Sequence, residues 1–133
     1  MRQERLICLR GVEPGVPNTE IRQCGGAAEV ACRRADLTGV LVYTGRHFFQ
    51  VAEGAPEEIG RLLERMQGDH RYGPLHVLCH RITPRRQYDA WRFLLLDNLD
   101  LADEVDAMAR KEASPQQAED LAERLYHYAL QTQ

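Results

Sequence analysis

The run LTGVLVYTGRHFFQVAEG, Leu37 to Gly54, decides the fold. Thr38-Gly-Val-Leu-Val-Tyr and His47-Phe-Phe-Gln-Val-Ala are both rich in β-branched and aromatic residues. Thr44-Gly45-Arg46 between them has the composition of a hairpin turn, so two adjacent antiparallel strands are expected here. Gln50 lies in the second strand, between Phe49 and Val51. A primary amide facing inward from such a strand needs hydrogen-bond partners. That makes Gln50 a candidate site residue, against the alternative of an ordinary polar strand position.

Upstream, Arg5-Leu-Ile-Cys-Leu reads as a first strand, and Gly11 to Pro17, with two prolines and two glycines, as a loop. Asn18 is the expected N-cap of a helix running to about Arg34. Gly25 and Gly26 interrupt that helix at a cost of roughly 1 kcal/mol each against alanine, so tertiary packing must compensate or a close approach must demand them. Downstream, Pro56 and two glutamates open a second helix, with Ile59, Leu62, Leu63 and Met66 on one face. Leu75 to Cys79 and Trp91 to Leu96 read as two further strands around a polar turn, Pro84 to Asp89. The order β-α-β-β-α-β-β predicts an α+β, ferredoxin-like sheet with one added strand and two helices on one face. Residues 1–96 would form this domain. Residues 97–133 would be a helical extension, with stripes at Leu101, Val105, Met108 and at Leu121, Leu125, Tyr128, that packs on the sheet or at a dimer interface.

The 133 residues are 44% hydrophobic, enough for one core, and the formal charge of −3 gives no basic face for nucleic acid. No apolar run reaches membrane-span length and no signal peptide is legible, so a cytoplasmic location is expected. The cysteines Cys8, Cys24, Cys32 and Cys79 form no CxxC pair, and the five histidines show no metal spacing. No nucleophile–base pairing or phosphate loop argues for an enzyme.

Four blocks in order resemble the BLUF (blue light sensing using FAD) family. Arg5-Leu-Ile-Cys-Leu is similar to its first strand (R-L-I-Y-x-S), and Leu37 to Gly54 to its I-T-G-L-L…F-x-Q…E-G core. Gly68-Asp-His-Arg-Tyr is similar to its D-x-R-H step, and Arg86-Gln-Tyr-Asp-Ala-Trp to R-x-F-x-x-W. The resemblance runs from about Arg5 to Phe93. It implies a flavin, FAD or FMN, between the two helices, and light-driven electron and proton transfer from a first-strand tyrosine. Rearranged hydrogen bonds of the third-strand glutamine then follow. By this register Gln50, Arg65, Asp69, Cys32 and Cys8 would face the cofactor, and Gln50, Trp91 and Phe93 would relay signal. Arg65 and Asp69, four apart, would share a helix face.

The departures from the pattern are as informative. Cys8 stands at the tyrosine position and Arg10 at the serine after it, Ala31-Cys32 replaces the asparagine, and Tyr72 and Phe93 replace a histidine and a methionine. Tyr43 lies on another strand, and Tyr72 and Tyr88 lie in loops. The expected function is a BLUF-type sensory domain with an impaired photocycle, acting through a protein partner, with self-association through its sheet or trailing helices as a further expectation. One alternative is a flavin-free interaction module, in which Gly25, Gly26, Ala27 and Ala28 let the first helix collapse onto the sheet. A weaker one is a thiol redox or metal sensor using Cys8, Cys24 and Cys32, which the family register gathers around one cavity.

Overall fold

A computed structural model describes residues 2–110 and 112–132. Its elements are β1 (Gln3–Gly11), α1 (Asn18–Arg34), β2 (Thr38–Tyr43), β3 (His47–Gly54), α2 (Pro56–Gly68), β4 (Leu75–Thr83), β5 (Trp91–Leu95), α3 (Leu99–Arg110) and α4 (Pro115–Gln131). The strands form one sheet in the order β4-β1-β3-β2-β5. The first four are antiparallel neighbours, and β5 joins the edge of β2 in parallel. This is the expected α+β ferredoxin-like sheet with one added strand.

Period-two alternation sorts the strands between two cores. Leu6, Cys8, Leu41, Phe48 and Ala52 face the side that carries Ile21 and Cys32 of α1 and Ile59 and Leu62 of α2. Ile7, Leu9, Val40, Val42, Phe49 and Val51 face the side that carries Ala102 and Val105 of α3 and Ala118, Leu121 and Leu125 of α4. The C-terminal helices therefore cover the second face of the sheet. Ser114 begins α4 with a reciprocal capping box: its hydroxyl accepts from the Gln117 N–H, and the Gln117 side chain accepts from the Ser114 N–H.

Two glycines mark close approaches. Gly39, in the Thr-Gly step of β2, has φ +149°, and a Cβ there would lie 1.9 Å from the Val51 carbonyl oxygen on β3. At Gly25 a Cβ would lie 2.5 Å from the Phe93 ring, so α1 rests directly on β5 at the point where helix propensity is poorest. Gly26 has open space around it, so packing does not explain its presence.

Three local expectations are corrected. Asn18 is not the cap of α1: Pro17 holds that position in an extended conformation, and its carbonyl accepts from the Glu20 and Ile21 N–H groups. Proline supplies the geometry without a side-chain acceptor. β1 and β4 are both longer than expected, because Arg10 is accommodated inside and the polar half of β4 continues to pair with β1 at the sheet edge. Asp69 does not continue the helix face of Arg65. It is the C-cap of α2, with φ −87° and ψ 108°, and its carboxylate turns to Arg71. No helix among the described residues is long and apolar enough to cross a membrane.

Candidate functional site

A cavity of about 530 Å³ opens between α1 and α2 above the centre of the sheet. Its floor comes from β1 and β3, where Cys8, Phe48 and Gln50 project by alternation, with Leu41 of β2 beside them. Cys24, Ala27, Ala28, Ala31 and Cys32 of α1 form one wall, and Leu62, Arg65 and Met66 of α2 the other. Gly25 sets α1 down on Phe93, and the small residues that follow leave the space over the sheet open. The collapse that would erase the cavity is not present.

Gln50 is nearly fully buried, and its side-chain N–H donates to the Met66 sulfur at 3.3 Å. A thioether is a weak acceptor, so this amide is positioned by packing more than by its bond. Cys8 is its direct cross-strand partner. Burial pushes the Cys8 thiol up to about 12, against a smaller opposing effect of the Arg10 charge. Burial likewise raises Cys32 to about 11, with Arg65 pulling the other way. Both sulfurs are therefore protonated at neutral pH, which makes them apolar lining rather than thiolate ligands.

Arg10 follows Leu6 and Cys8 on the inner face of β1 and is buried at the end of the cavity. Its guanidinium donates to the Gly73 carbonyl at 3.0 Å and to the Met66 carbonyl at 2.7 Å, pinning the C-terminal end of α2 to the loop before β4. Asp69 sits at the rim. The Arg71 side chain donates to both of its oxygens, at 3.0 and 2.8 Å, and holds this carboxyl below its ordinary range. Tyr72 completes the rim, edge-on to Phe48 with ring centroids 5.4 Å apart. Its hydroxyl is buried near Cys24, and desolvation raises its pKa.

The cavity thus brings together Cys8, Cys32, Gln50, Arg65 and Asp69, with Cys24 beside them. Trp91 and Phe93 lie on the same sheet face but under α1, outside the lining; Trp91 is fully buried and its carbonyl accepts from Arg33. Sequence reasoning missed the clamp made by Arg10 and the acceptor role of Met66. The alternation Leu6, Cys8, Arg10 carried the first signal; the second depends on how α2 crosses β3. Among the described residues, no group of three or more His, Cys, Asp or Glu side chains is arranged to hold a metal ion.

Comparison with known proteins gives a consistent result. The family model described as sensors of blue-light using FAD matches residues 6–94. The blue light- and temperature-regulated antirepressor BluF of Escherichia coli (strain K12) is 29% identical over 82 residues, 61% of this chain but 20% of the relative, so the chain spans only a fifth of that protein. Among solved structures, the dark state of BlrB, a BLUF protein, superposes with a TM-score of 0.76 at 22% identity, covering 93% of this chain and 95% of that one. The photo-activated state of BlsA gives 0.76 at 19% identity, covering 92% and 94%. At these identities the structural matches speak for the fold.

Proposed function

The chain belongs to the BLUF family of sensors of blue light using FAD, and on that premise we propose that its α1/α2 cavity binds a flavin, FAD or FMN, in a site whose usual photocycle is impaired. The observation that carries this reading is the cavity itself. Its volume of about 530 Å³ lies within the range of roughly 300–1,000 Å³ usual for small-molecule sites. Its exposed walls are mainly apolar, and Gln50, Arg10, Arg65 and Asp69 are among the polar groups that enter it.

The donor set fits a planar heteroaromatic ring with a polar edge. Cys8, Leu41, Leu62 and the alanines of α1 offer flat apolar contact. Gln50 offers an amide whose present acceptor is only a thioether, so exchanging it for a carbonyl or ring nitrogen costs little. Arg65 and Asp69 also line the cavity, and the Arg65 guanidinium is the group that would hold the phosphate of a flavin nucleotide. A flavin bound there supplies blue-light absorption and a redox-active ring. Cys8 holds its proton tightly and lacks the π-system of a phenol, so the position facing Gln50 has no good donor of an electron and a proton. The domain would act through a protein partner, without nucleic-acid or membrane contact of its own.

The test has two stages. Purified protein is mixed with FMN or FAD and passed through a desalting column; co-elution of the yellow band supports the site, and a colourless protein fraction sinks it. Blue-light difference spectra of the loaded protein then address the photocycle. A stable, reversible red shift of the flavin band would contradict the impairment.

A further inference from the structure

On the side of the sheet away from the cavity, the same two central strands carry a buried charged bridge. Arg5 and Glu53 are cross-strand partners on β1 and β3, three residues along from Cys8 and Gln50 and on the opposite face. The Arg5 guanidinium donates to Glu53 Oε2 and to Glu119 Oε1 of α4, both at 2.8 Å. The other Glu53 oxygen accepts from the backbone N–H groups of Gln87 and Tyr88, both at 2.9 Å. That loop reaches α4 in turn: the Gln87 side chain donates to Glu123 at 2.6 Å, and the Tyr88 ring meets Tyr126 edge-on at 5.1 Å. A carboxylate that is 1% exposed therefore ties β3 to α4 by two routes.

The apolar face of α4 needs such a device. Its buried residues are Ala118, Leu121, Ala122, Leu125 and Ala129. Three of the five are alanines, which offer little relief to resist sliding, and the Arg5–Glu119 bond adds a directional contact beside Leu121 and Leu125. Releasing α4 would not strand a buried charge, because Arg5 keeps Glu53 and Glu53 keeps the two N–H groups. Glu119 would move into water, and its second partner, the exposed Arg81, would remain solvated. Opening the bridge leaves Arg5 paired with Glu53 while Glu119 and Arg81 pass to water.

We propose that Glu53 is the positioning residue that couples the cavity to α4. Occupation of the cavity at Gln50 shifts β3, and Glu53 on the same strand passes the shift through the 84–90 loop and Arg5 to the seating of α4. The coupling rests on the flavin reading of the cavity, because an occupant must engage Gln50; the physical link is one short rigid strand with a bonded group on each face.

The experiment is hydrogen–deuterium exchange, in the dark, on the protein with and without FMN. Binding is scored separately, by co-elution of the flavin. FMN is expected to change exchange across 115–131 by ~3-fold or more in the unmodified protein, as a shift in local opening. In Glu53→Gln and in Tyr126→Leu that change should vanish while FMN still co-elutes. Tyr126 is only half-buried, so the second variant remains informative if the first fails to fold. Bound FMN that leaves α4 exchange unchanged in the parent, or changes it equally in both variants, overturns the coupling and leaves the flavin site standing. Failure of FMN to co-elute with the parent overturns both.

Discussion

Cys8 and Gln50 face each other directly across β1 and β3 on the floor of the cavity. The pairing puts a thiol, at the position the resemblance aligns with the family's phenol, next to the Gln50 amide. Cys8→Tyr returns the phenol to that place, and the open volume above Cys8 gives the larger side chain somewhere to go. The flavin-loaded variant should show a reversible red-shifted state larger than any in the parent, measured by blue-light difference spectroscopy. If the variant binds flavin and shows no shift, the missing phenol is not what limits the photocycle.

Adjacent glycines should respond with opposite signs. Gly25→Ala gains up to about 1 kcal/mol of helix propensity but drives a Cβ into the Phe93 ring, an overpacking that costs typically 1–3 kcal/mol. The net effect is destabilising. Gly26→Ala meets nothing within 4 Å and should stabilise by roughly 0.5–1 kcal/mol. Urea midpoints of the two variants against the parent decide the matter; equal shifts would mean that α1 does not rest on β5 at Gly25.

Thiol reactivity should follow burial. Cys32 is fully buried and Cys8 nearly so, with thiols pushed up to about 11 and about 12. Neither should be alkylated in the native protein at neutral pH. Cys24, at intermediate exposure on the cavity wall, should react first. Peptide mass spectrometry after brief iodoacetamide treatment, with and without denaturant, measures the order. Rapid native labelling of Cys8 would show that the cavity floor is open to solvent.

The contact of α4 with the sheet should depend on pH. Desolvation alone would raise the Glu119 carboxyl, but hydrogen bonds from Arg5 and Arg81 and their charges outweigh it and hold the folded value below the ordinary 4.5. A lowered folded value means that the contribution is fully present above the unfolded value and is lost as pH falls through the folded one. The parent should therefore lose stability on acidification below about pH 4.5, and Glu119→Gln should lose less over the same window. Urea midpoints collected between neutral pH and pH 3 test this; parallel curves would rule out a role for Glu119 in acid sensitivity.

Local pattern was enough for the element order. Thr38 to Tyr43 and His47 to Ala52 could be read because alternation on a strand fixes which side chains share a side, and a hairpin turn fixes their pairing. The eight-residue spacing put Cys24 and Cys32 on one face of α1, but it was the family resemblance, not periodicity, that set Cys8 and Gln50 at the same cavity. Patterning cannot reveal distances between elements. The turn of Asp69 away from Arg65 depended on where α2 stops, and the reach of Arg10 to Gly73 and Met66 on how α2 lies over β1. The bridge from Glu53 through Arg5 to Glu119 joins residues far apart in the chain, each of them in isolation an ordinary charged side chain. Periodicity records what a residue must face; only the packed chain decides which distant group it meets there, because that choice depends on crossing angles and element ends that no local window contains.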